Sequence, residues 1–241
     1  MARRIARLAI VIAIVQAAVL AAALPAQSAT ARRYRVTITN LTHGQPLTPP
    51  VLAVHRRPAG IFRVGSPASV GVQEIAENGN PAPLVDALEA NPHVVSVVTG
   101  NVPIVPANRT DETGFPDSVS FEIDGGPGAK YLSWESMLIC TNDGFTGVSR
   151  LRLPAQGHEI TVQTVGYDAG TELNTERFAD IVPPCQGLIG VTGDPGTGTT
   201  DPALAEGGVV HMHDGIEGSG DLIPAVHGWT ESVATLTITA L

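Results

Sequence analysis

Strict alternation of apolar and polar residues at both ends of the predicted domain is the strongest constraint on its fold. From residue 34 to 39 the even positions are apolar and the odd positions are polar, and the same pattern recurs from 234 to 239. A period of two is typical of a β-strand with one buried face and one solvent-facing side. The sequence therefore predicts a half-buried antiparallel strand at each end of the domain.

Further short apolar runs lie between these two strands, at 51–55, 94–98, 119–123, 131–139, 148–153, 160–165 and 209–213. Turn-forming residues separate them, in a chain with 26 glycines and 19 prolines. Eight or nine short strands with this spacing favour an all-β fold, an antiparallel β-sandwich.

Two segments interrupt the strand pattern. Between Pro67 and Asn91 we expect one or two short inserted helices, the first capped by Ser66 and ended by Gly79. Residues 192–208 are rich in Gly, Thr, Pro and Asp and nearly free of apolar side chains, which predicts a mobile surface loop.

Residues 1–31 have the features of a secretory signal peptide. Three arginines precede an apolar run at 8–24, and the small residues Ala29-Thr30-Ala31 form a suitable cleavage site. An uncleaved membrane anchor of marginal length is the alternative. Cleavage leaves a single domain at 32–241, exported to the extracellular space or the periplasm.

The charge of the chain limits its partners. The net charge is −9, and removal of the three leader arginines takes it to −12. So acidic a protein is not expected to bind nucleic acid. Any contact with anionic lipid is expected to depend on a bridging cation such as calcium.

Cys140 and Cys185 are the only two cysteines. In an exported domain the default expectation is that they form one disulfide. Two free thiols that bind a metal are the poorer alternative, since the sequence has no CxxC spacing and no third thiol.

Two acidic loops follow strand-like segments and place three carboxylates close together in sequence. Asp143 lies in Thr141-Asn142-Asp143-Gly144-Phe145, and Asp168 and Glu172 lie in Tyr167-Asp168-Ala169-Gly170-Thr171-Glu172. Loops at one end of a sandwich can meet, and clustered carboxylates suit Ca²⁺. The alternative is that both loops are turns whose side chains only cap local backbone groups.

At these positions the chain resembles the spondin domain family, from about Tyr34 to the C-terminus. The resemblance rests on ordered blocks: Asn40-Leu41-Thr42, Gln45, Thr48-Pro49-Pro50, His55, Gly65, Ala68-Ser69, Ala76-Glu77-Asn78-Gly79, Ser136-Met137-Leu138, the two acidic loops, Glu206-Gly207-Gly208-Val209 and His213-Asp214-Gly215-Ile216. The resemblance implies an antiparallel sandwich similar to calcium-dependent phospholipid-binding domains, with one calcium held by loop aspartates.

Carried over by position, the implied metal ligands are Asp143, Asp168 and Glu172. Glu172 departs from the animal pattern, in which an aspartate is usual, and its side chain is longer by one methylene. Asn174 and Glu176 lie close enough in sequence to contribute further oxygens.

The resemblance favours a secreted, calcium-binding adhesion or recognition module without catalytic activity. Its expected partner is a component of the envelope, the extracellular matrix or a cell surface. The sequence lacks a Gly-x-Ser-x-Gly elbow, a phosphate loop and an HExxH helix, which agrees with a module that catalyses no reaction.

Two other functions remain open. His211 and His213 lie two residues apart on a predicted strand, and with Glu217 they resemble the first metal motif of cupins, which would imply a metalloenzyme. The other candidate is a purely structural envelope protein whose acidic loops are turns.

The sequence also predicts the burial or exposure of three aromatic residues. Trp134 and Trp229 lie in strand-like surroundings and are expected to pack in the core. Phe145, beside the first acidic loop, is a candidate for an exposed contact residue.

Overall fold

A computed structural model describes residues 32–191, 196 and 199–241. The predicted signal peptide, the domain boundary next to it and part of the predicted loop at 192–208 lie outside these residues. In the described part, the strands are β1 (Arg32–Asn40), β2 (Val51–His55), β3 (Val94–Thr99), β4 (Ser118–Gly125), β5 (Tyr131–Met137), β6 (Gly144–Arg152), β7 (Glu159–Thr164), β8 (Gly166–Asp168), β9 (His211–Met212) and β10 (Ala234–Ala240).

The helices are short. They are α1 (Val70–Asn78), α2 (Ala82–Glu89), α3 (Thr110–Thr113), α4 (Pro184–Ile189) and α5 (Pro224–His227), with single 3₁₀ turns at Ala107–Arg109, Phe178–Asp180 and Pro202–Leu204. The last of these turns belongs to the part of the predicted loop at 192–208 that the structure describes. No helix within the described ranges is long and apolar enough to cross a lipid bilayer.

The strands form two antiparallel sheets, which confirms the predicted all-β, sandwich-like fold. The four-stranded sheet has the order β4-β1-β10-β7, and the six-stranded sheet has the order β3-β2-β5-β6-β8-β9. The two terminal strands pair with each other, with Val36 opposite Ile238. Ten strands are present in the described residues, because β8 and β9 are distinct, very short strands.

The first hydrophobic core lies between the sheets. Even-numbered residues of β1 and β10 face Leu52, Leu132 and Trp134 of the larger sheet. Trp134 is fully buried, as predicted, whereas Trp229 is only partly buried and packs against both hydrophobic clusters. The alternation that predicted these strands is therefore the pattern of one buried face.

A second core covers the other face of the six-stranded sheet. Val51 and Ala53 of β2 pack there with Ile75 of α1 and Leu84 of α2. All five residues of β2 are buried, which explains why this strand is a continuous apolar run without alternation. The helices and the disulfide-linked segment thus form a third layer.

The inserted helices follow local capping chemistry. Ser69, rather than the predicted Ser66, caps α1, and its hydroxyl accepts the N–H of Val72 at 3.3 Å. Gly79 ends the helix as predicted, in the left-handed conformation with φ 63°. Gly71 permits close packing on α2, because a Cβ there would lie 2.7 Å from the Cα of Leu84.

The predicted disulfide between Cys140 and Cys185 is present, with a Cα–Cα distance of 5.0 Å. It joins the loop between β5 and β6 to α4. Gln45 holds the same loop from another side, since its side chain accepts the N–H of Cys140 at 3.0 Å and donates to the Cys140 carbonyl at 3.1 Å. The loop that carries Asp143 is therefore anchored covalently and by hydrogen bonds.

Replacement of both cysteines, Cys140→Ser with Cys185→Ser, should destabilise the protein. The bridge closes a loop of 45 residues, which corresponds to about 4 kcal/mol of lost chain entropy in the unfolded state. Urea unfolding of the variant and of the oxidised wild type would measure the difference. Equal free energies of unfolding would contradict a stabilising role for the bridge.

Glu135 of β5 is a fully buried carboxyl group, and neither of its oxygens has a hydrogen-bond partner among the described residues. Burial raises its pKa well above the ordinary value of 4.5. Since the folded state then binds the proton more tightly than the unfolded state, stability falls as the pH rises above the unfolded pKa. Each pH unit in that range costs up to about 1.4 kcal/mol.

The variant Glu135→Gln should therefore be more stable than the wild type at about pH 8, by about 1–3 kcal/mol. Its advantage should shrink towards about pH 4, below the unfolded pKa, where the wild-type carboxyl is mostly protonated in both states. Urea unfolding across this pH range would measure both effects. Glu89→Gln, at the exposed end of α2, is the matched control, and an equal gain there would rule out burial as the cause.

Candidate functional site

The register between β6 and β8 brings the two acidic loops together. Gly144, the first residue of β6, lies directly opposite Asp168, the last residue of β8. Asp143 therefore precedes one strand at the same edge where Asp168 ends the other. A backbone hydrogen bond from the Ala169 N–H to the Asp143 carbonyl at 3.1 Å closes this end of the pair.

A tight turn at Thr141 sets the direction of Asp143. The Thr141 hydroxyl donates to the Leu138 carbonyl at 2.7 Å and accepts the N–H of Gly144 at 2.9 Å. A Cβ at position 144 would lie 2.4 Å from this hydroxyl oxygen, so only glycine fits.

Asp143 is fully buried, and its two carboxylate oxygens have different surroundings. Oδ2 accepts the Thr171 N–H at 2.7 Å, the Thr171 hydroxyl at 3.1 Å and the Glu172 N–H at 3.0 Å. Oδ1 is buried without any hydrogen-bond partner among the described residues. One oxygen thus fixes the carboxylate, and the other is free to bind a ligand.

Asp168 is also buried and firmly held. Its Oδ1 accepts the N–H of Gly170 at 2.7 Å, and its Oδ2 accepts the side-chain amide of Asn174 at 2.6 Å. His211 lies opposite it across β8 and β9, with Nδ1 at 3.7 Å from Oδ1. Asn174 therefore orients Asp168 through a hydrogen bond.

Glu206 completes the group. One carboxylate oxygen from each of Asp143, Asp168 and Glu206 lies within 4.8 Å of the others. Backbone contacts place Glu206 here, because its N–H donates to the Thr171 carbonyl at 3.1 Å and the Gly208 N–H donates to Gly170 at 2.7 Å. Glu206 is exposed, whereas both aspartates are buried, so the group opens to solvent on the side of Glu206.

Glu172, predicted from sequence as the third ligand, lies beside this group and not in it. Its backbone N–H binds Asp143, but its Oε1 accepts the N–H of Asp201 at 2.7 Å. Burial and the neighbouring carboxylates Glu77, Asp143 and Asp201 raise its pKa to about 7.

Glu176, the other glutamate that the sequence offered as a further ligand, also points elsewhere. Its two oxygens accept the N–H groups of Glu217 and Ser219.

The electrostatics of the group favour a cation. Burial first, and then the charge of Asp168, raise the pKa of Asp143 to about 7, against the lowering effect of its hydrogen bonds to Thr171 and Glu172. The pKa of His211 is raised, mainly by its hydrogen bond to the Val209 carbonyl and further by the neighbouring carboxylates. Unbalanced negative charge is therefore concentrated at this edge of the sheet.

The residues of the cupin-like alternative do not converge. His213 is half-buried beside Trp229, and its Nδ1 accepts the N–H of Gly215 at 3.0 Å. Within the described residues, the group of three metal-binding side chains contains neither histidine and not Glu217. This geometry gives no support to a metal held by His211, His213 and Glu217.

One prediction about an individual residue is wrong, and one member of the acidic group was missed. Phe145 is fully buried among Phe62 and Tyr167, so its predicted role as an exposed contact residue is wrong. Glu206 was not predicted as a member of the acidic group. The stretch Glu206-Gly207-Gly208 was its only signal, since the pairing of Gly208 with Gly170 cannot be read from the sequence.

Gly170 should be essential for the approach of Glu206. Its φ is +68°, and a Cβ there would lie 2.5 Å from the backbone nitrogen of Val209. Gly170→Ala therefore carries both left-handed strain of about 1 kcal/mol and a clash with fixed backbone. Gly157→Ala is the matched control, because its φ is +74° but its Cβ would meet nothing within 4 Å.

Urea unfolding would measure both glycine variants. Gly157→Ala should lose about 1 kcal/mol, and Gly170→Ala should lose clearly more. Equal losses would show that the close approach of the two loops contributes nothing to stability.

Comparison with known proteins adds one finding. A family model described as Spondin_N matches residues 45–178. The match contains both acidic loops and the first cysteine, and it ends before Glu206 and the second cysteine. No curated protein matches the chain significantly.

Proposed function

The chain belongs to the Spondin_N family, and from this premise and the geometry of its acidic group we propose that it is a secreted, calcium-binding adhesion or recognition module. In this proposal it catalyses no reaction. The proposed calcium ligands are Asp143, Asp168 and Glu206.

The observation that carries the proposal is the free oxygen of Asp143. A buried carboxylate oxygen without a donor is costly, and its carboxylate belongs to a group in which one oxygen from each of three acidic side chains lies within 4.8 Å of the others. Hydrogen bonds to Oδ2 already fix the orientation of the group. A cation is the partner that would satisfy Oδ1 and relieve the repulsion from Asp168.

The donor set agrees with calcium in particular. Carboxylate oxygens are hard ligands, and calcium accepts several of them together with carbonyl groups or water. No cysteine is free to bind a softer metal, since both form the disulfide. A bound calcium would supply positive charge that joins the loops at 141–143, 168–172 and 206–209.

The position of the group supports a role in binding a partner. The two aspartates are buried and Glu206 is exposed, so an ion held among them could also take an oxygen from outside the protein. We propose a component of the envelope, the matrix or a cell surface as that partner. Contact with anionic lipid would require the ion, because the exported chain is strongly acidic.

An extracellular or periplasmic location follows as part of the same proposal. The disulfide is compatible with an oxidising compartment. The features of a signal peptide at 1–31 agree with export.

Calcium binding can be tested by isothermal titration of the purified domain after treatment with chelator. Asp143→Asn and Glu206→Gln should each weaken binding at least about tenfold, because each loses a charged ligand. Asparagine can still accept the bonds from Thr171 and Glu172, so Asp143→Asn should fold, and its calcium-free form should be no less stable than wild type. Asp86→Asn, on the exposed face of α2, is the control.

The variant Glu172→Gln tests whether Glu206 or Glu172 is the third carboxylate ligand of the calcium ion. Nearly unchanged affinity would support Glu206 as the third carboxylate, and a loss as large as that of Asp143→Asn would support the sequence prediction. Equal melting temperatures with calcium and with chelator, together with no calcium by elemental analysis, would refute the proposed site.

A calcium-dependent pull-down would test the adhesion role. Wild-type protein should be retained on envelope or matrix fractions in calcium and released by chelator, and Asp143→Asn should not be retained. Retention that is unaffected by chelator would contradict a partner bound through the ion.

A further inference from the structure

Two adjoining clefts lie beside β6, on the face of the six-stranded sheet opposite the first core. Their volumes are about 250 and 210 Å³, and both are lined by Phe62, Arg63 and Arg150. Ser149 and Tyr167 complete the larger one. Alternation along β8 directs Tyr167 and Asp168 to opposite faces, so these clefts are separate from the acidic group.

A β-bulge in β6 presents Ser149 and Arg150 to these clefts. Trp134 of β5 lies opposite Val148, and Leu132 lies opposite Leu151, which leaves Ser149 and Arg150 together opposite Ser133. Arg150 has φ +64°, in the left-handed region that is strained for a residue with a side chain. Bulges of this kind redirect side chains and occur often beside binding sites.

The bulge holds Arg150 in place. Its backbone N–H donates to the Ser133 hydroxyl at 2.9 Å, and its Nε donates to the Ala59 carbonyl at 3.0 Å. The two terminal nitrogens of the guanidinium have no hydrogen bond to any described residue. They are therefore fixed donors without an acceptor.

Ser149 adds a buried hydroxyl. Its Oγ is shielded from solvent and has no hydrogen-bond partner in the described part of the chain. Gly60 makes room for it, since a Cβ there would lie 3.0 Å from Ser149 Oγ and 2.9 Å from Arg150 Nε. A buried hydroxyl without a partner is uncommon, and it lies here beside two arginines.

The two arginines bring positive charge to the clefts of an acidic chain. The sequence has 23 acidic residues against 14 basic ones. Arg63 and Arg150 belong to the described basic residues that form no ion pair, and both line these clefts. The clefts are thus a local region of positive charge with unused donors.

The walls of the clefts are aromatic as well as basic. The rings of Phe62 and Tyr167 are 5.0 Å apart at an angle of 56°. Arginines bind oxyanions, and aromatic side chains pack against the ring of a sugar or an aromatic group. We propose that the clefts bind an oxyanion, a carboxylate or a sulfate ester, that is attached to a ring.

Titration calorimetry with three probes would test this proposal in the presence of chelator, which excludes anions carried by calcium. Phenyl sulfate and glucuronate each join an oxyanion to a ring, and inorganic sulfate lacks the ring. Wild-type protein should bind at least one of the ring-bearing probes about tenfold more tightly than inorganic sulfate. The stronger of the two identifies the ring as aromatic or as a sugar.

Two variants remove the proposed donors. Arg63→Gln and Arg150→Gly should each weaken binding of that probe at least about tenfold. Glycine suits the left-handed conformation, so Arg150→Gly should melt near the wild-type temperature despite the loss of the bond to Ala59. Arg35→Gln, on the four-stranded sheet, is the control and should bind like wild type.

Three results would overturn the proposal. They are the absence of saturable binding by any probe, equal affinity of wild type and a folded Arg63→Gln, Arg150→Gly double variant, and an equal loss in Arg35→Gln. Inorganic sulfate that binds as tightly as both ring-bearing probes would refute the role of the aromatic wall. None of these results depends on whether calcium binds.

Discussion

The pairing of β6 with β8 is the contact on which the candidate site depends. It places Gly144 opposite Asp168, so two loops that are distant in sequence share one edge of the sheet. A shift of one residue would turn Asp168 towards the aromatic cluster of Phe145 and Tyr167, and would bring Tyr167 into the acidic group. The burial of Phe145 and its packing with Tyr167 therefore favour this register, and the register places the two aspartates of the acidic group side by side.

The same edge concentrates like charges in a place where water cannot screen them. The cost is visible in the raised pKa values of Asp143 and Glu172. The loop nevertheless keeps its shape, because the disulfide at Cys140 and the side chain of Gln45 anchor it independently of the carboxylates. Anchors outside the acidic group are what allow it to remain ordered despite its own repulsion.

The features that depend on neighbouring residues in the sequence were predicted correctly. Alternation predicted β1 and β10, the cysteine count predicted the disulfide, and the acidic turns predicted two residues of the group. Features that depend on contacts between distant segments were missed. Glu206 reaches the group only through the pairing of Gly208 with Gly170, and the bulge at Arg150 depends on how β6 pairs with β5. Phe145 was wrongly predicted to be exposed, because the residues of β6 do not alternate between apolar and polar. The sequence of this strand therefore does not show that its second face is covered.

That third layer also bears on how well the acidic group is organised. Nearly every residue of β5, the strand that leads into the loop with Asp143, is buried, so this strand is packed on both faces. The backbone N–H groups of Thr171 and Glu172 orient Asp143 through Oδ2, and these donors belong to the fold itself. Order that the packed strands impose on the loops reduces the entropy that an ion would lose in ordering them. A sandwich covered on one face only would leave these loops on strands that are free to flex. The helices, far from the acidic group in sequence, therefore contribute to its preorganisation.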